Sequence, residues 1–187
     1  MRIVVGISGA SGAIYGVRTL DVLRRLGVET HLVLSETAGE TIEYETAYKL
    51  ADVTAMATRV YPVHDVAAAI SSGSFRTDGM VVAPCSIKTL SGLANSYNDN
   101  LLTRAADVSL KERRKLVLVV RETPLHLGHL RLMTAVTEMG AVVLPPMPAF
   151  YHKPKTIDDI INQTIGKVLD QFGLEASLFK RWSGIED

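Results

Sequence analysis

A glycine-rich turn near the start of the chain carries the first residues that could do chemistry. Residues 6–12, Gly-Ile-Ser-Gly-Ala-Ser-Gly, follow the apolar run 3–5 and precede a helix-like segment, residues 13–26. Between a strand and a helix, glycines let the backbone approach an anion, and the helix N-terminus offers free N–H groups. The G-x-x-G-x-x-G spacing differs from the G-x-G-x-x-G of dinucleotide-binding enzymes. The turn therefore predicts a site for a phosphate-bearing cofactor; the alternative is a tight turn that binds nothing.

Hydroxyl-bearing residues stand at the ends of two further predicted strands. Ser35 ends the run 29–35, and Ser86 follows the strand 79–83 and Pro84, which we expect to break that strand. Ligands of open α/β sheets collect outside the carboxyl ends of the strands, so the position of Ser35 suits a flavin or a mononucleotide. The alternative is that Ser35 only caps the next helix, as Ser86 is expected to do.

Opposite charges stand side by side after another apolar strand, residues 115–120. Arg121 could bind an anion there, and Glu122 could transfer a proton. Both residues follow the carboxyl end of their strand, so they are expected at the same edge of the sheet as the serines.

A concentration of positive charge lies between positions 104 and 121, where six cations stand against two acids. The cations are Arg104, Lys111, Arg113, Arg114, Lys115 and Arg121. Arg104 and Lys111 are seven residues apart and therefore share a helix face. The group could hold a phosphate; the alternative is a basic patch that faces solvent or another subunit.

The other reactive residue types form no site that the spacing supports. Cys85 has no base nearby in sequence, which is more typical of a packed thiol than of a nucleophile. His64 and Asp65 are more typical of a turn and a helix cap than of a catalytic pair. His126 and His129 have no third ligand at a matching spacing, so we expect no metal.

Strands and helices must alternate to bring these residues together. The predicted strands are residues 2–7, 29–35, 79–83, 115–120 and 141–144, with a short strand inside 59–77. The predicted helices are residues 13–26, 36–50, a short one around 66–70, one after Ser86, 101–112, 127–139, and a last helix from Thr156 to Gly173. This order predicts an α/β fold, Rossmann-like or flavodoxin-like: a doubly wound, mainly parallel sheet with helices on both faces. The last helix is expected to bury a stripe of Ile157, Ile160, Ile161, Ile165, Val168 and Phe172.

Length and composition restrict the classes of function. The 187 residues suit a single domain, 1–187, whose tail from about residue 174 to 187 is expected to pack on a neighbouring subunit. The formal net charge is zero, so no attraction to nucleic acid or to an anionic membrane is expected. No apolar run is long enough to span a bilayer. A strand that starts at residue 2 leaves no room for a signal peptide, and the single cysteine excludes an internal disulfide, so a cytoplasmic protein is expected.

Six motifs in order resemble the UbiX-type flavin prenyltransferases, a family long labelled aromatic acid decarboxylases. They are Gly-Ala-Ser-Gly (9–12), Pro-Cys-Ser-Ile-Lys-Thr-Leu (84–90), Leu-Thr-Arg-Ala-Ala-Asp-Val (102–108), Leu-Lys-Glu-Arg-Arg (110–114), Arg-Glu-Thr-Pro-Leu (121–125) and Pro-Ala-Phe-Tyr-His-Lys-Pro (148–154). The resemblance runs from residue 2 to residue 182. It implies an enzyme that joins dimethylallyl phosphate to N5 and C6 of reduced FMN without a metal. It also implies that prenylated FMN is passed to a UbiD-type decarboxylase, and that the enzyme forms a homo-oligomer, commonly a dodecamer, with sites shared between subunits.

The same resemblance implies a role for particular residues. Those that match FMN-binding positions are Gly9, Ala10, Ser11, Ser35, Ser86, Ile87, Lys88, Thr89 and Arg121. Those that match positions around the prenyl phosphate are Arg104, Lys111, Glu122, Tyr151 and Lys167, the last standing where many members have arginine. Glu45 aligns with a helix glutamate near the site, and the implied catalytic set is Glu122, Lys111, Arg104 and Glu45.

Three other functions use a similar fold. An FMN-dependent decarboxylase of cysteine substrates would need a histidine after an early strand and a Pro-x-Met-Asn segment, and this chain has neither. A non-catalytic FMN carrier would not need the cations at positions 104, 111 and 167. A nicotinamide-dependent reductase is disfavoured by the glycine spacing and by Pro154, which interrupts the helix that a Tyr151–Lys155 pair would require.

Overall fold

The computed structural model describes residues 1–184, and these residues build one six-stranded sheet in which every strand pair is parallel. The strands are β1 (Arg2–Ile7), β2 (Glu29–Leu34), β3 (Arg59–Tyr61), β4 (Gly79–Cys85), β5 (Lys115–Val120) and β6 (Val142–Val143). The helices are α1 (Ala13–Arg25), α2 (Glu36–Glu45), α3 (Leu50–Thr54), α4 (Ile87–Ala94), α5 (Leu101–Lys111), α6 (Leu127–Glu138) and α7 (Ile157–Asp170). The doubly wound α/β fold that the sequence predicts is therefore confirmed.

The strand order is β3-β2-β1-β4-β5-β6. The chain adds strands on one side of β1 as far as β3 and then on the other side from β4 onward, so the order in which strands are added reverses between β1 and β4. Strand β1 pairs with β2 on one side and with β4 on the other, so Ile3 lies opposite Thr30 and Gly79. Chain connections leave β1 and β4 toward opposite faces of such a sheet and open a crevice at the carboxyl ends of these strands.

Both faces of the sheet are buried, which explains why its strands read as continuous apolar runs. On one face Ile3 and Val5 belong to a core cluster with α1 and α7. On the other face Val4, Met80 and Val82 belong to a second cluster with α4 and α5. In the part of the chain described, no helix is long and apolar enough to cross a membrane.

Pro84 does not break strand β4, contrary to the expectation from the sequence. The strand continues to Cys85, and the pairing of β4 with β5 shifts its register between Val82 and Cys85. This irregularity accommodates a residue that has no N–H to donate to the ladder.

The expected helix 36–50 ends early, at Glu45, because Thr46 adopts an extended conformation, and a separate helix, α3, begins only at Leu50. The Thr46 hydroxyl donates to the Ile42 carbonyl (2.7 Å) and accepts from Tyr48 N (3.1 Å), which satisfies groups at the helix end. The short helix expected around 66–70 is a 3₁₀ turn, Ala69–Ser71. Ile157 is 77% exposed in the first turn of α7, so the buried stripe begins later in that helix.

The chain after α7 packs back onto its own helix. Phe179 lies against Gly166, and Arg181 forms an ion pair with Asp170 (2.9 Å). Packing of this tail on a neighbouring subunit stays a prediction, and residues 185–187 of the predicted tail lie outside the described residues.

Candidate active site

A cavity of about 730 Å³ lies at the crevice outside β1, β2 and β4 and reaches the turn between α4 and α5. Its volume is in the range of sites that hold small molecules and cofactors. Five of the predicted site residues line it: Gly9, Ser35, Ser86, Lys88 and Thr89. The structure therefore brings together residues from three separate stretches of the sequence, as the rule for strand carboxyl ends predicts.

Ser8 fixes the two central strand ends to each other. Its side chain is buried; the hydroxyl donates to the Pro84 carbonyl (2.9 Å) and accepts from Ser86 N (2.7 Å). Both of these contacts are internal to the chain, so the hydroxyl is not offered to a ligand. Ser8 instead positions Ser86 at the cavity wall.

Ser35 occupies the N-cap position of α2, yet its side chain makes no capping hydrogen bond. Its hydroxyl lies 3.4 Å from that of Thr37, and both side chains line the cavity. Gly9 approaches them so closely that a Cβ on Gly9 would lie 2.8 Å from Thr37 Cβ. The position therefore needs glycine for close approach, and the Ser35 hydroxyl is available to a ligand.

The N-terminus of α4 opens on the same cavity. Ser86 caps this helix as the sequence predicts: its hydroxyl accepts from Thr89 N (3.2 Å) and contacts the Thr89 hydroxyl (3.1 Å). Lys88 adds a positive charge to this wall. The N-termini of α2 and α4, with their hydroxyls and one lysine, together suit an anion.

The carboxylate of Glu45 lies at the N-terminus of α1. Its Oε2 accepts hydrogen bonds from Gly12 N (2.7 Å) and Ala13 N (3.1 Å). Partial burial raises the pKa of Glu45, but the hydrogen bonds from the Ser11 hydroxyl and the two N–H groups, with the charge of Arg121, outweigh it, so the pKa lies below its ordinary value. Two N–H groups that the glycine-rich turn was expected to offer to a phosphate are thus taken by an internal carboxylate.

Arg121 and Glu122 are exposed at the end of β5. The backbone N–H of Arg121 donates to the Cys85 carbonyl (3.0 Å), which continues the contact of β4 with β5. The Glu122 carboxylate accepts from the N–H of Thr123 (3.0 Å). Neither side chain belongs to the cavity wall as this chain forms it.

Each cation predicted to bind the prenyl phosphate has an acidic partner in the chain. Arg104 Nη1 lies 3.0 Å from Asp107, Lys111 pairs with Glu112, and Lys167 Nζ lies 3.4 Å from Asp170. Lys111 holds the pKa of Glu112 below its ordinary value. Tyr151 packs edge-on against Trp182, with ring centroids 6.0 Å apart. These groups lie outside the cavity wall formed by one copy of the chain.

Sequence reasoning misses several residues of the cavity wall. They are Thr37, Val63, His64, Ser91, Gly92, Asn95, Tyr97, Asp99, Asn100, Leu102 and Thr103. His64 is predicted only as part of a turn, but its Nε2 also lies 2.8 Å from Glu36 Oε1. The polar turn 95–100 follows the helix that starts at the crevice, and this placement is the signal that could have found it.

Neither the thiol nor the histidines add a further centre. Burial raises the pKa of Cys85 to about 12, so the thiol stays protonated near neutral pH. Within residues 1–184, no group of three His, Cys, Asp or Glu side chains could hold a metal ion.

Comparison with known proteins places this site in a family. The Flavoprotein family profile matches residues 1–169. The flavin prenyltransferase UbiX of Thauera aromatica is 68% identical over 187 residues, which is 100% of this chain and 96% of the relative. The chain belongs to the UbiX flavin prenyltransferase family. The resemblance that the six motifs predict is therefore confirmed.

Two solved UbiX structures share the whole fold. AnUbiX (PadA1), in complex with FMN and dimethylallyl pyrophosphate, has a TM-score of 0.97 and 55% identity, covering 99% of this chain and 98% of its own. A dodecameric FMN-dependent Ubix-like decarboxylase from Escherichia coli O157:H7 also has a TM-score of 0.97 and 55% identity, covering 98% of this chain and 100% of its own.

Proposed function

We propose that this chain is a flavin prenyltransferase that joins dimethylallyl phosphate to N5 and C6 of reduced FMN. One observation carries the proposal. The cavity at the strand reversal is lined by five of the residues that match FMN-binding positions, in a chain that superposes with a TM-score of 0.97 on a relative that holds FMN and dimethylallyl pyrophosphate. The product, prenylated FMN, would serve a UbiD-type decarboxylase.

The residues present fit FMN at its phosphate end. The Ser35 hydroxyl is not used as a helix cap, and Thr37, Thr89 and Lys88 line the same wall. We place the phosphate at the N-termini of α2 and α4, because Glu45 occupies the N-terminus of α1. When bound, reduced FMN supplies the two ring atoms that accept the prenyl group.

The cations would act on the prenyl donor. Cleavage of its C–O bond leaves negative charge on the phosphate, which Arg104, Lys111 and Lys167 would stabilise. A lysine at 167 cannot hold two oxygens in a planar fork as an arginine does, so its contribution is smaller. The aromatic contact of Tyr151 with Trp182 would exclude water from the allylic fragment.

Two carboxylates would complete the site. Glu122, which is exposed, would take the proton that leaves C6, with the released phosphate as an alternative base. Glu45 has a lowered pKa and stays ionised, so it fixes Ser11 and the start of α1 beside the charge of Arg121.

We also propose that the chain forms a homo-oligomer, a dodecamer with sites shared between subunits. The groups around the prenyl phosphate lie outside the cavity of one copy, so a neighbouring copy is needed to bring them to the flavin. Large apolar side chains near Tyr151 in sequence are exposed, including Phe150 (71%) and Ile157 (77%), and suit burial against another subunit. A cytoplasmic location completes the proposal.

Mass spectrometry of the flavin tests the function directly. The protein is mixed without oxygen with FMN, a reductant and dimethylallyl phosphate, and the flavin is then extracted. A gain of one prenyl unit with release of phosphate is expected. Unmodified FMN, bound equally well without the donor, would point to a carrier, and a gain seen only with the diphosphate would correct the donor.

A further inference from the structure

The first turn of α6 is capped by a histidine. His126 occupies the N-cap position, and its Nδ1 accepts a hydrogen bond from the N–H of Gly128 (3.0 Å). Most helix N-caps are Ser, Thr, Asp or Asn, whose side-chain oxygens accept this bond near neutral pH. An imidazole nitrogen accepts only while it carries no proton, because both ring nitrogens of an imidazolium are donors. The cap of α6 therefore requires a neutral His126.

The residues next to the cap suit a neutral ring. Gly128 leaves room for the contact, since a Cβ on this residue would lie 2.7 Å from His126 Cε1 and 2.9 Å from its Nδ1. Residues 127–130, the first turn of α6, include no Asp or Glu. The N-terminus of a helix carries a partial positive charge, so an imidazolium here would be repelled, with no carboxylate in that turn to offset the repulsion.

A second imidazole lies against the first. The ring centroids of His126 and His129 are 3.6 Å apart, with the ring planes inclined by 32°. The buried Nδ1 of His129 has no hydrogen-bond partner among residues 1–184. Two positive charges at this distance repel each other, so a proton on either ring disfavours a proton on the other.

The charged groups around the pair do not include an acidic partner. Glu122, in the segment before the helix, is exposed, and its carboxylate accepts from Thr123 N. Helix α6 packs on α4, whose charged residue is Lys88, and on β6, whose two residues are valines. The other charges nearby in the chain, Arg121 and Arg131, are positive. Within residues 1–184, ion pairs between a histidine and a carboxylate are formed by other histidines only.

We propose that the start of α6 is a pH-sensitive switch, in which protonation of His126 removes the helix cap and releases the first turn. Histidine is the side chain that ordinarily changes charge between pH 5 and 8. At pH 8 the neutral ring holds the Gly128 N–H and stabilises the helix end. At pH 5 the imidazolium cannot accept this bond and is repelled by the helix end. The released turn contains Leu127 (60% exposed) and Leu130 (46% exposed), so the switch moves part of an apolar surface.

Hydrogen exchange followed by mass spectrometry tests the switch in the full-length protein, on a peptide that covers residues 125–131. His126→Asn is the matched variant, because an asparagine caps a helix at either pH, and His126→Ala removes the cap. At pH 8 the wild type should be as protected as His126→Asn, and about fivefold more protected than His126→Ala, as expected for a cap of ordinary strength. At pH 5 the wild type should exchange like His126→Ala, while His126→Asn keeps its protection.

Helix α5 is the internal reference. Its N-cap, Asn100, accepts from Thr103 N (3.0 Å) through an amide that does not titrate, so residues 99–105 should be equally protected in all three proteins at each pH. A wild type that stays as protected as His126→Asn at pH 5 would overturn the proposal, as would one that exchanges like His126→Ala at pH 8. A loss at pH 5 that also appears in His126→Asn or in α5 would show general acid unfolding, which contradicts a local switch.

Discussion

Glu45 offers the sharpest test of the site's electrostatics, because one oxygen serves two N–H groups of α1. Its Oε2 accepts from both Gly12 N and Ala13 N, and Gly12 has no side chain to cap the helix. Glu45→Ala removes this acceptor and its charge. A lost N-cap costs about 1 kcal/mol, and an anion at a helix N-terminus adds about 0.3–1 kcal/mol. The Glu45 side chain is only partly buried and keeps contact with solvent, so screening keeps the total at about 1–2 kcal/mol.

The amide variant separates the hydrogen bonds from the charge. Glu45→Gln can keep one oxygen in place for both N–H groups and loses only the charge, so it should cost about 0.3–1 kcal/mol. For a domain of this size, about 2–4 °C of Tm corresponds to 1 kcal/mol, which gives a loss of about 2–8 °C for Glu45→Ala and about 1–4 °C for Glu45→Gln. Thermal unfolding followed by circular dichroism measures both. Glu40→Ala, an exposed glutamate on the same helix, is the control.

The pH dependence of stability in the same variants tests the direction of the Glu45 pKa shift. Because the folded-state pKa of Glu45 lies below its ordinary value, its stabilising contribution is present at neutral pH. That contribution is lost as the pH falls below about 4.3, the ordinary glutamate pKa, and through the folded-state pKa. The gap between wild type and Glu45→Gln should therefore shrink in acid. A Tm for Glu45→Ala equal to that of wild type, or a gap that widens in acid, would refute the reasoning.

Three further predictions concern the strand ends and the reaction. Ser8→Ala leaves Ser86 N without its partner and should cost about 1–3 kcal/mol in urea unfolding, while an unchanged midpoint would deny the positioning role. Cys85 should resist thiol reagents at pH 8 in the native state and react fully in denaturant; rapid native labelling would contradict its burial. Glu122→Gln should slow prenylated FMN formation about 10²–10⁴-fold with FMN affinity unchanged, and a normal rate would exclude it as the base.

The sequence predicts best what depends on local pattern. Continuous apolar runs give β1 and β5 with the bounds that the structure has, and Ser86 caps its helix as expected. Pro84 misleads because tolerance of a proline in a strand depends on the register with β5, which no local pattern reports. The end of α2 is missed for a local reason: the Thr46 side chain competes with the helix for backbone groups.

Side-chain partners distant in sequence are the other limit of prediction. Arg104 and the Ser71 carbonyl are 33 residues apart, as are Glu45 and Gly12, so no spacing rule pairs them. The acidic partners of Arg104 and Lys111 are close in sequence, at positions 107 and 112, but only the fold shows that backbone carbonyls also hold Arg104 and Arg114.

The glycine spacing and the place of Glu45 together account for where a phosphate can bind in this fold. In G-x-x-G-x-x-G the third glycine, Gly12, becomes the N-cap of α1 with φ 94°, so the helix begins without a capping side chain. Glu45, at the end of α2, supplies the missing acceptor. Its negative charge therefore lies at the N-terminus of α1, where dinucleotide-binding enzymes bind the pyrophosphate. A ligand phosphate there would meet a carboxylate. The N-termini of α2 and α4 have hydroxyls and Lys88 instead of a carboxylate. They therefore favour a mononucleotide whose phosphate lies at these two helix ends rather than at the N-terminus of α1.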